Sequence, residues 1–325
     1  MDQVEYHLVH RYVGRWGELG WWRPLVGVVA GVLLMLVAQV VLLVGFVVVF
    51  LAMGTDDLGD RLDGLSDTAH VTPGLLANLN LSLAVAIPVA LLLTWAVHRL
   101  RPGWVCSVAG RLRWRWLALT FVLAFVALIA TVIVGSLVPA AGDPADSSGG
   151  LNHWTDTTRD FVIVIVLLTP LQAAGEEFAF RGYLTQAFGG LFAPLGPWAA
   201  RAAAVLLPAL LFALAHGAQD APVFVDRFAF GVVSGILVIA TGGLEAGIAM
   251  HVLNNFLAYG FALAFSDMTS ALNPTGSTWW TLPTTLTQSL VYLALAIWAA
   301  RRTGVARTAA PRPAPNELEG SEPRV

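Results

Sequence analysis

The sequence predicts an all-α fold, a polytopic transmembrane helix bundle of about eight spans with both termini cytoplasmic. Three observations predict it. Of 325 residues, 57% are hydrophobic and only 12% charged, against roughly 25% charged in a soluble domain. The apolar residues gather into runs near the ~20 residues that a helix needs to cross a bilayer core. Arginine, finally, concentrates in alternate connections between those runs.

The spans expected from hydropathy are 24–53, 74–97, 117–140, 161–184, 198–218, 223–241, 244–266 and 282–300. The sixth is short and the fourth is interrupted by charge. The opening "MDQVEYHLVH" carries acids where a secretory leader would be basic, and the first apolar run is too long for a leader's core, so span one is expected to stay as an anchor. All 18 residues of the Lys/Arg class are Arg. Arg11, Arg15 and Arg23 precede span one; Arg99, Arg101, Arg111, Arg113 and Arg115 lie between spans two and three; Arg201 opens span five; Arg301 and Arg302 follow span eight. The opposite connections hold Arg61, Arg159 and Arg227, so the termini are expected inside. Trp21, Trp22, Trp104, Trp114, Trp116, Trp279 and Trp280 stand near span ends, as in an interfacial belt.

Residues 1–300 therefore read as one integral-membrane domain of the plasma membrane. The Pro-rich polar tail 301–325 reads as disordered. The loop 142–160 is too short to fold alone, and no sequence repeat is evident. The partners expected are the lipid bilayer and a membrane-anchored substrate, and not nucleic acid. The single cysteine, Cys106, excludes an intramolecular disulfide and a cysteine-based zinc site.

Span four holds the anomaly. It starts "FVIVIVLL" and then reads "GEEFAFR". Apolar residues favour insertion by about 0.3–0.6 kcal/mol each, while an ionised side chain at the helix centre costs about 2.5–3.5 kcal/mol. Glu176, Glu177 and Arg181 thus cancel the span's own driving force unless they face protein or water. Glu177 and Arg181 are spaced i, i+4 and can pair on one face. Glu176 is turned about 100° away and needs a partner from another helix. Of seven His, only His216 and His251 fall inside apolar runs. Phe212 precedes His216 by four residues, and Asn255 follows His251 by four, which puts imidazole and carboxamide on one face.

Each feature also has a plainer reading: a structural ion pair for Glu177–Arg181, interhelical hydrogen bonds for the two His and for Asn254 and Asn255, core packing for Phe212. Gly231 and Gly235 fit a small-xxx-small packing stripe, and Glu245 suits the start of span seven through the helix dipole. The coincidence of Glu, His, His and Asn on three otherwise apolar helices favours a functional pathway.

In these residues the chain resembles the CAAX-protease and bacteriocin-processing (CPBP or Abi) family of intramembrane endopeptidases, which includes the type II CAAX prenyl endopeptidases. The motifs read "EEFAFR" (Glu176 to Arg181), "FALAH" (Phe212 to His216) and "HVLNN" (His251 to Asn255), in that order, and the likeness covers about 170–258, a family-like core within 161–266. The resemblance implies that Glu176 is the catalytic carboxylate and His216 its partner in activating water. It implies that His251 and Asn255 support that water or the oxyanion, with Glu177 and Arg181 holding the motif in shape. Glu176, His216 and His251 are also the donor types of a catalytic zinc or other divalent metal, which keeps one position for water, although there is no HExxH and a metal-free Glu/His mechanism fits the same residues.

The expected function is cleavage of a peptide bond in a membrane-associated or lipid-modified (CAAX-type) protein. A proton-coupled transporter, or a non-catalytic immunity or interaction protein, is the alternative on the same fold. Straight spans would leave Glu176 and His216 at different depths. That predicts either that span four starts near Thr169–Pro170 and runs to about Phe188, or that span five starts deeper. Glu176, His216 and His251 are expected in one small polar cavity.

Overall fold

The computed structural model describes residues 3–13, 20–137, 150–217, 220–274 and 278–309. It is helical almost throughout, and eight helices are long and apolar enough to cross a membrane, which makes the chain a multi-pass membrane protein. In chain order, a two-residue strand β1 (Val4–Glu5) and a short helix α1 (Val9–Tyr12) lead to α2 (Arg23–Ala52). At 30 residues, α2 is about 45 Å long. It is apolar on every side and exposes most of them, as a lipid-facing helix does.

A small capped helix α3 (Leu58–Asp63) precedes α4 (Pro73–Ala84), whose first turn is closed by the Thr72 hydroxyl accepting from Leu75 N–H. Pro88 has no N–H to offer Ala84, and the second span breaks at Val85 into α4 and α5 (Ala86–Ala96). Then follow α6 (Trp114–Gly135) and α7 (Asp156–Glu176), the latter begun by a capping box between Thr155 and Thr158. The chain continues without interruption through a π-helical segment, Glu177–Leu184, into α8 (Thr185–Phe192). The remaining elements are α9 (Pro197–Ala215), α10 (Ala221–Thr241), α11 (Glu245–Phe265), the short α12 (Met268–Leu272), α13 (Thr281–Thr303) and β2 (Thr308–Ala309).

The fourth span differs from expectation. It does not begin at Pro170, which lies inside α7. A proline is tolerated there because neighbouring groups in a bundle re-satisfy the freed carbonyl. The helical run instead extends past the expected end, over 40 residues from Asp156 to Leu195. The tail also starts later than expected. The α13 helix persists to Thr303, and β2 pairs antiparallel with β1, Val4 opposite Ala309 and Glu5 opposite Thr308. The ends of the described chain therefore meet on one face. Residues 310–325, where disorder was expected, and residues 138–149, which include the first part of the 142–160 loop, lie outside the described residues. Arg227, grouped with the outer connections, lies within α10.

Two approaches position the site helices. A Cβ on Gly175 would lie 2.2 Å from the Leu83 carbonyl oxygen, so only glycine lets α7 settle against the break between α4 and α5. Gly231 and Gly235 of α10 rest on Ala209 and Val205 of α9, the packing role read from their spacing.

Candidate active site

The π-helical segment begins one residue after Glu176, and such segments recur at functional sites. The wider turn carries hydrogen bonds five residues back: Phe180 O accepts the Thr185 backbone N–H and also the Thr185 hydroxyl, the latter at 3.2 Å. Within this segment Glu177 and Arg181 pair as their spacing predicts, at 3.1 Å, both fully buried.

His251, on α11, joins the two glutamates. Its Nδ1 lies 3.0 Å from Glu177 Oε1 and its Nε2 3.2 Å from Glu176 Oε2, so each ring nitrogen faces one carboxylate. A guanidinium and an imidazole are set here against two carboxylates, the opposite-charge pairing by which a bundle interior carries ionisable groups. The Ser234 hydroxyl of α10 donates to Glu177 Oε2 at 2.8 Å. A Cβ on Gly247 would stand 2.5 Å from that same oxygen, so α11 needs glycine one turn before His251. Arg181 lies over Phe212, its guanidinium carbon 4.1 Å from the ring centre, with Phe230 and Phe180 also close. A cation deprived of water gains from such faces.

The two glutamates differ in access. Glu177 has no exposure, whereas Glu176 keeps 7%. Gln172, one turn earlier, donates Nε2–H to Glu176 Oε2 at 2.7 Å, and Asn255 Nδ2–H donates to Gln172 Oε1 at 2.9 Å. Thus Oε2 of Glu176 is held twice, while its Oε1 takes no hydrogen bond among the described residues.

His216 is the C-cap of α9, where Gly217 at φ +77° ends the helix. Its Nδ1–H donates to Phe212 O at 2.7 Å, which leaves the Nε2 lone pair available on an exposed ring. Phe212 touches both imidazoles edge-on, 4.7 Å from His216 and 6.0 Å from His251 between ring centres. His216 lies within Coulomb range of Glu176 and His251 but hydrogen-bonds to neither.

The structure thus brings Glu176, Glu177, Arg181 and His251 into direct contact, ties Asn255 to Glu176 through Gln172, and sets His216 at the edge. Two expectations shift. Neither nitrogen of His251 is left to face an oxyanion, and Asn255 reaches the acid only through another side chain. The zinc expectation also meets a mismatch. Among the described residues no three His, Cys, Asp or Glu side chains come together to hold a metal ion, and His251 spends both nitrogens on carboxylates. As arranged, Glu176, His216 and His251 do not fit a three-ligand metal site.

Gln172 and Ser234 were not singled out from the sequence. Gln172 precedes Glu176 by four residues in an apolar run, a spacing that could have revealed it. Ser234 reads as an ordinary small packing residue. Arg227 of α10 lies within Coulomb range of Glu176 and His216, and it too was missed as a neighbour of the site.

Fold and site together define a polytopic membrane protein with a buried acid–imidazole–guanidinium centre on α7, its π-helical extension and α11. Residues 158–257, the segment that carries this centre, match the Rce1-like family, described as type II CAAX prenyl endopeptidase Rce1-like. The match supports a CAAX-type intramembrane protease fold. An uncharacterized protein of Bacillus subtilis (strain 168), YyaK, is 25% identical over 207 residues, or 60% of this chain and 65% of its own length. The chain thus spans just under two thirds of that relative. No solved structure matches it.

Proposed function

We propose that the protein is an intramembrane endopeptidase of the plasma membrane, hydrolysing a peptide bond of a membrane-associated or lipid-modified, CAAX-type substrate with water activated by Glu176. The observation that carries this reading is the asymmetry of Glu176. One carboxylate oxygen is fixed by Gln172 and His251, and the other has no partner among the described residues, on the glutamate that keeps some exposure.

A water at Oε1 gives its proton to the carboxylate as its oxygen bonds to the scissile carbonyl carbon. His216, with its free Nε2, is the second acceptor on that water. When the tetrahedral species collapses, the C–N bond breaks and the proton passes from Glu176 to the leaving nitrogen, giving an amine and a carboxylic acid, whose remaining proton goes to His216 Nε2 and then to solvent. His251 steadies the changing charge on Glu176 through their 3.2 Å contact. Glu177, Ser234 and Arg181 hold His251, while Asn255 acts through Gln172 as a positioning residue. The family match of residues 158–257 supports a peptide or protein as substrate.

The test is cleavage of a membrane-delivered prenylated CAAX peptide by the purified protein, with products identified by mass spectrometry. Glu176→Gln and His216→Ala should abolish cleavage at unchanged abundance. Cleavage by Glu176→Gln within tenfold of the wild type would refute the assignment. A chelator arm addresses the donor mismatch: activity should survive it, and loss that added zinc restores would show that the donors rearrange around a metal.

A further inference from the structure

We propose that the cavity between the start of α6 and the end of α13 binds the phosphate headgroup of an anionic phospholipid. The cavity, about 570 Å³, is lined by Arg111, Trp114, Arg115, Trp116, Leu119 and Val305, among others. It lies on the face where the described chain ends meet, because Arg113, also on its wall, donates to Ala306 O just before β2.

Arg113 is spent on Glu245 and on backbone carbonyls. Arg111 and Arg115 differ: both are exposed, and neither side chain makes an ion pair or hydrogen bond among the described residues. Trp116 is 5% exposed, and its buried indole N–H has no acceptor among the described residues. A buried indole N–H normally finds one. Trp114, the first residue of α6, is 72% exposed, as suits an indole seated at the bilayer interface.

The charge bias of membrane loops accounts for arginines on this face, but not for a cavity there or for an indole N–H on its wall that has no acceptor among the described residues. A phosphodiester meets these features together. Its non-bridging oxygens accept from two guanidinium groups and from the indole N–H, while Leu119 and Val305 give an apolar wall for the glycerol and the first acyl carbons. Basic pockets at a membrane face suit anionic headgroups for this reason. Inorganic phosphate offers the same oxygens without the apolar part.

The experiment is a titration of the detergent-solubilised full-length protein with dioctanoyl phosphatidylglycerol, reading bound lipid by native mass spectrometry. One phosphatidylglycerol should be retained in preference to phosphatidylcholine of equal chain length. Arg111→Gln with Arg115→Gln should weaken it about fivefold per arginine removed. Trp116→Phe, which keeps a ring but loses the donor, should weaken it several-fold. Arg101→Gln with Arg302→Gln, exposed arginines outside the cavity, should leave it unchanged. Equal retention of both lipids, unaltered binding by the Arg111/Arg115 variant, or equal loss in the Arg101/Arg302 control would overturn the site. Displacement of the lipid by millimolar inorganic phosphate would assign the cavity to a soluble anion instead, which also overturns the lipid proposal.

Discussion

Helix α11 meets two buried acid–arginine pairs along its length, and their contrast separates a structural pair from a chemical one. At its first residue, Glu245 accepts from Arg113 backbone N–H at 2.8 Å and Nε–H at 2.9 Å on one oxygen, and from a terminal N–H at 2.6 Å on the other. The rest of that guanidinium reaches the Thr241 and Ala306 carbonyls. Both carboxylate oxygens are bonded, and the pair staples α6, α10, α11 and the approach to β2 together. Six residues on, His251 enters a centre where the books do not close. Among the described residues, Arg181 faces Glu177 at ion-pair distance yet none of its nitrogens makes a well-directed hydrogen bond, and Glu176 keeps one oxygen without a partner. Saturated charge holds helices in place, while unsaturated charge in the same bundle is a capacity to bind and move a proton.

The sharpest way to break this comparison is to remove the acid at each place. Glu176→Gln keeps the shape and removes the base, so turnover should fall about 10²–10⁴-fold while the melting temperature in detergent holds. Glu245→Gln should do the reverse, lowering the melting temperature while turnover per folded molecule stays near wild type. Equal effects of the two on turnover would show that Glu176 is not special. Next in size is Glu177→Ala, which strands Arg181 and His251 without their shared anion. Breaking a buried pair from one side costs about 3–5 kcal/mol, so denaturation should shift by that amount. A stability within about 1 kcal/mol of wild type would mean that water, not Glu177, satisfies the pair.

How much of this contrast was legible in the sequence follows the same division. The spans were legible because twenty apolar residues have one outcome in lipid, and Glu177–Arg181 because i, i+4 geometry is local. The partner of Glu176 could be named only as something on another helix. Which His would come, and that His251 would bridge both glutamates, depends on how α11 packs, and that packing rests on Gly247 and Gly175. The depth mismatch between spans four and five resolved through a longer helix with a π-helical stretch, which periodicity at 3.6 residues does not reveal. Ser234 and Gln172 were invisible as site residues because each looks like ordinary helix packing until its neighbour is known.

A third prediction concerns the docked N-terminal segment, where burial acts on imidazoles outside the membrane spans. Burial pulls His7 down to about 4 against the pull of Glu5, and pulls His98 down to about 3, with Arg23 adding to it. Burial also lowers His10, which is stacked on His98 at 3.8 Å, and the stacked ring adds to the shift. The unfolded chain takes up protons near 6.5, the folded one only farther down. Stability should therefore be flat above that pH and fall below it, by about 1.4 kcal/mol per pH unit for each His. Glu5, held low chiefly by its hydrogen bond to Arg201, adds loss in the same direction at lower pH. Melting curves between pH 7.5 and 4.5 check this, and His98→Gln should flatten the slope. A slope unchanged by that substitution would place the acid sensitivity elsewhere.

The smallest effect tests the finest part of the comparison. Ser234→Ala removes one donor from Glu177 Oε2 but leaves His251 and Arg181 on Oε1. A single hydrogen bond to a charged group is worth about 1.5–3 kcal/mol at most and often nearer 1, so the melting temperature should drop slightly. If Glu177 serves only to hold His251, the pH profile of turnover should stay put, because the Glu176–His251 contact is untouched. A displaced profile with unchanged stability would mean that Glu177 shares in the proton traffic, and the line between holding and reacting would then run through Ser234 instead of between the two glutamates.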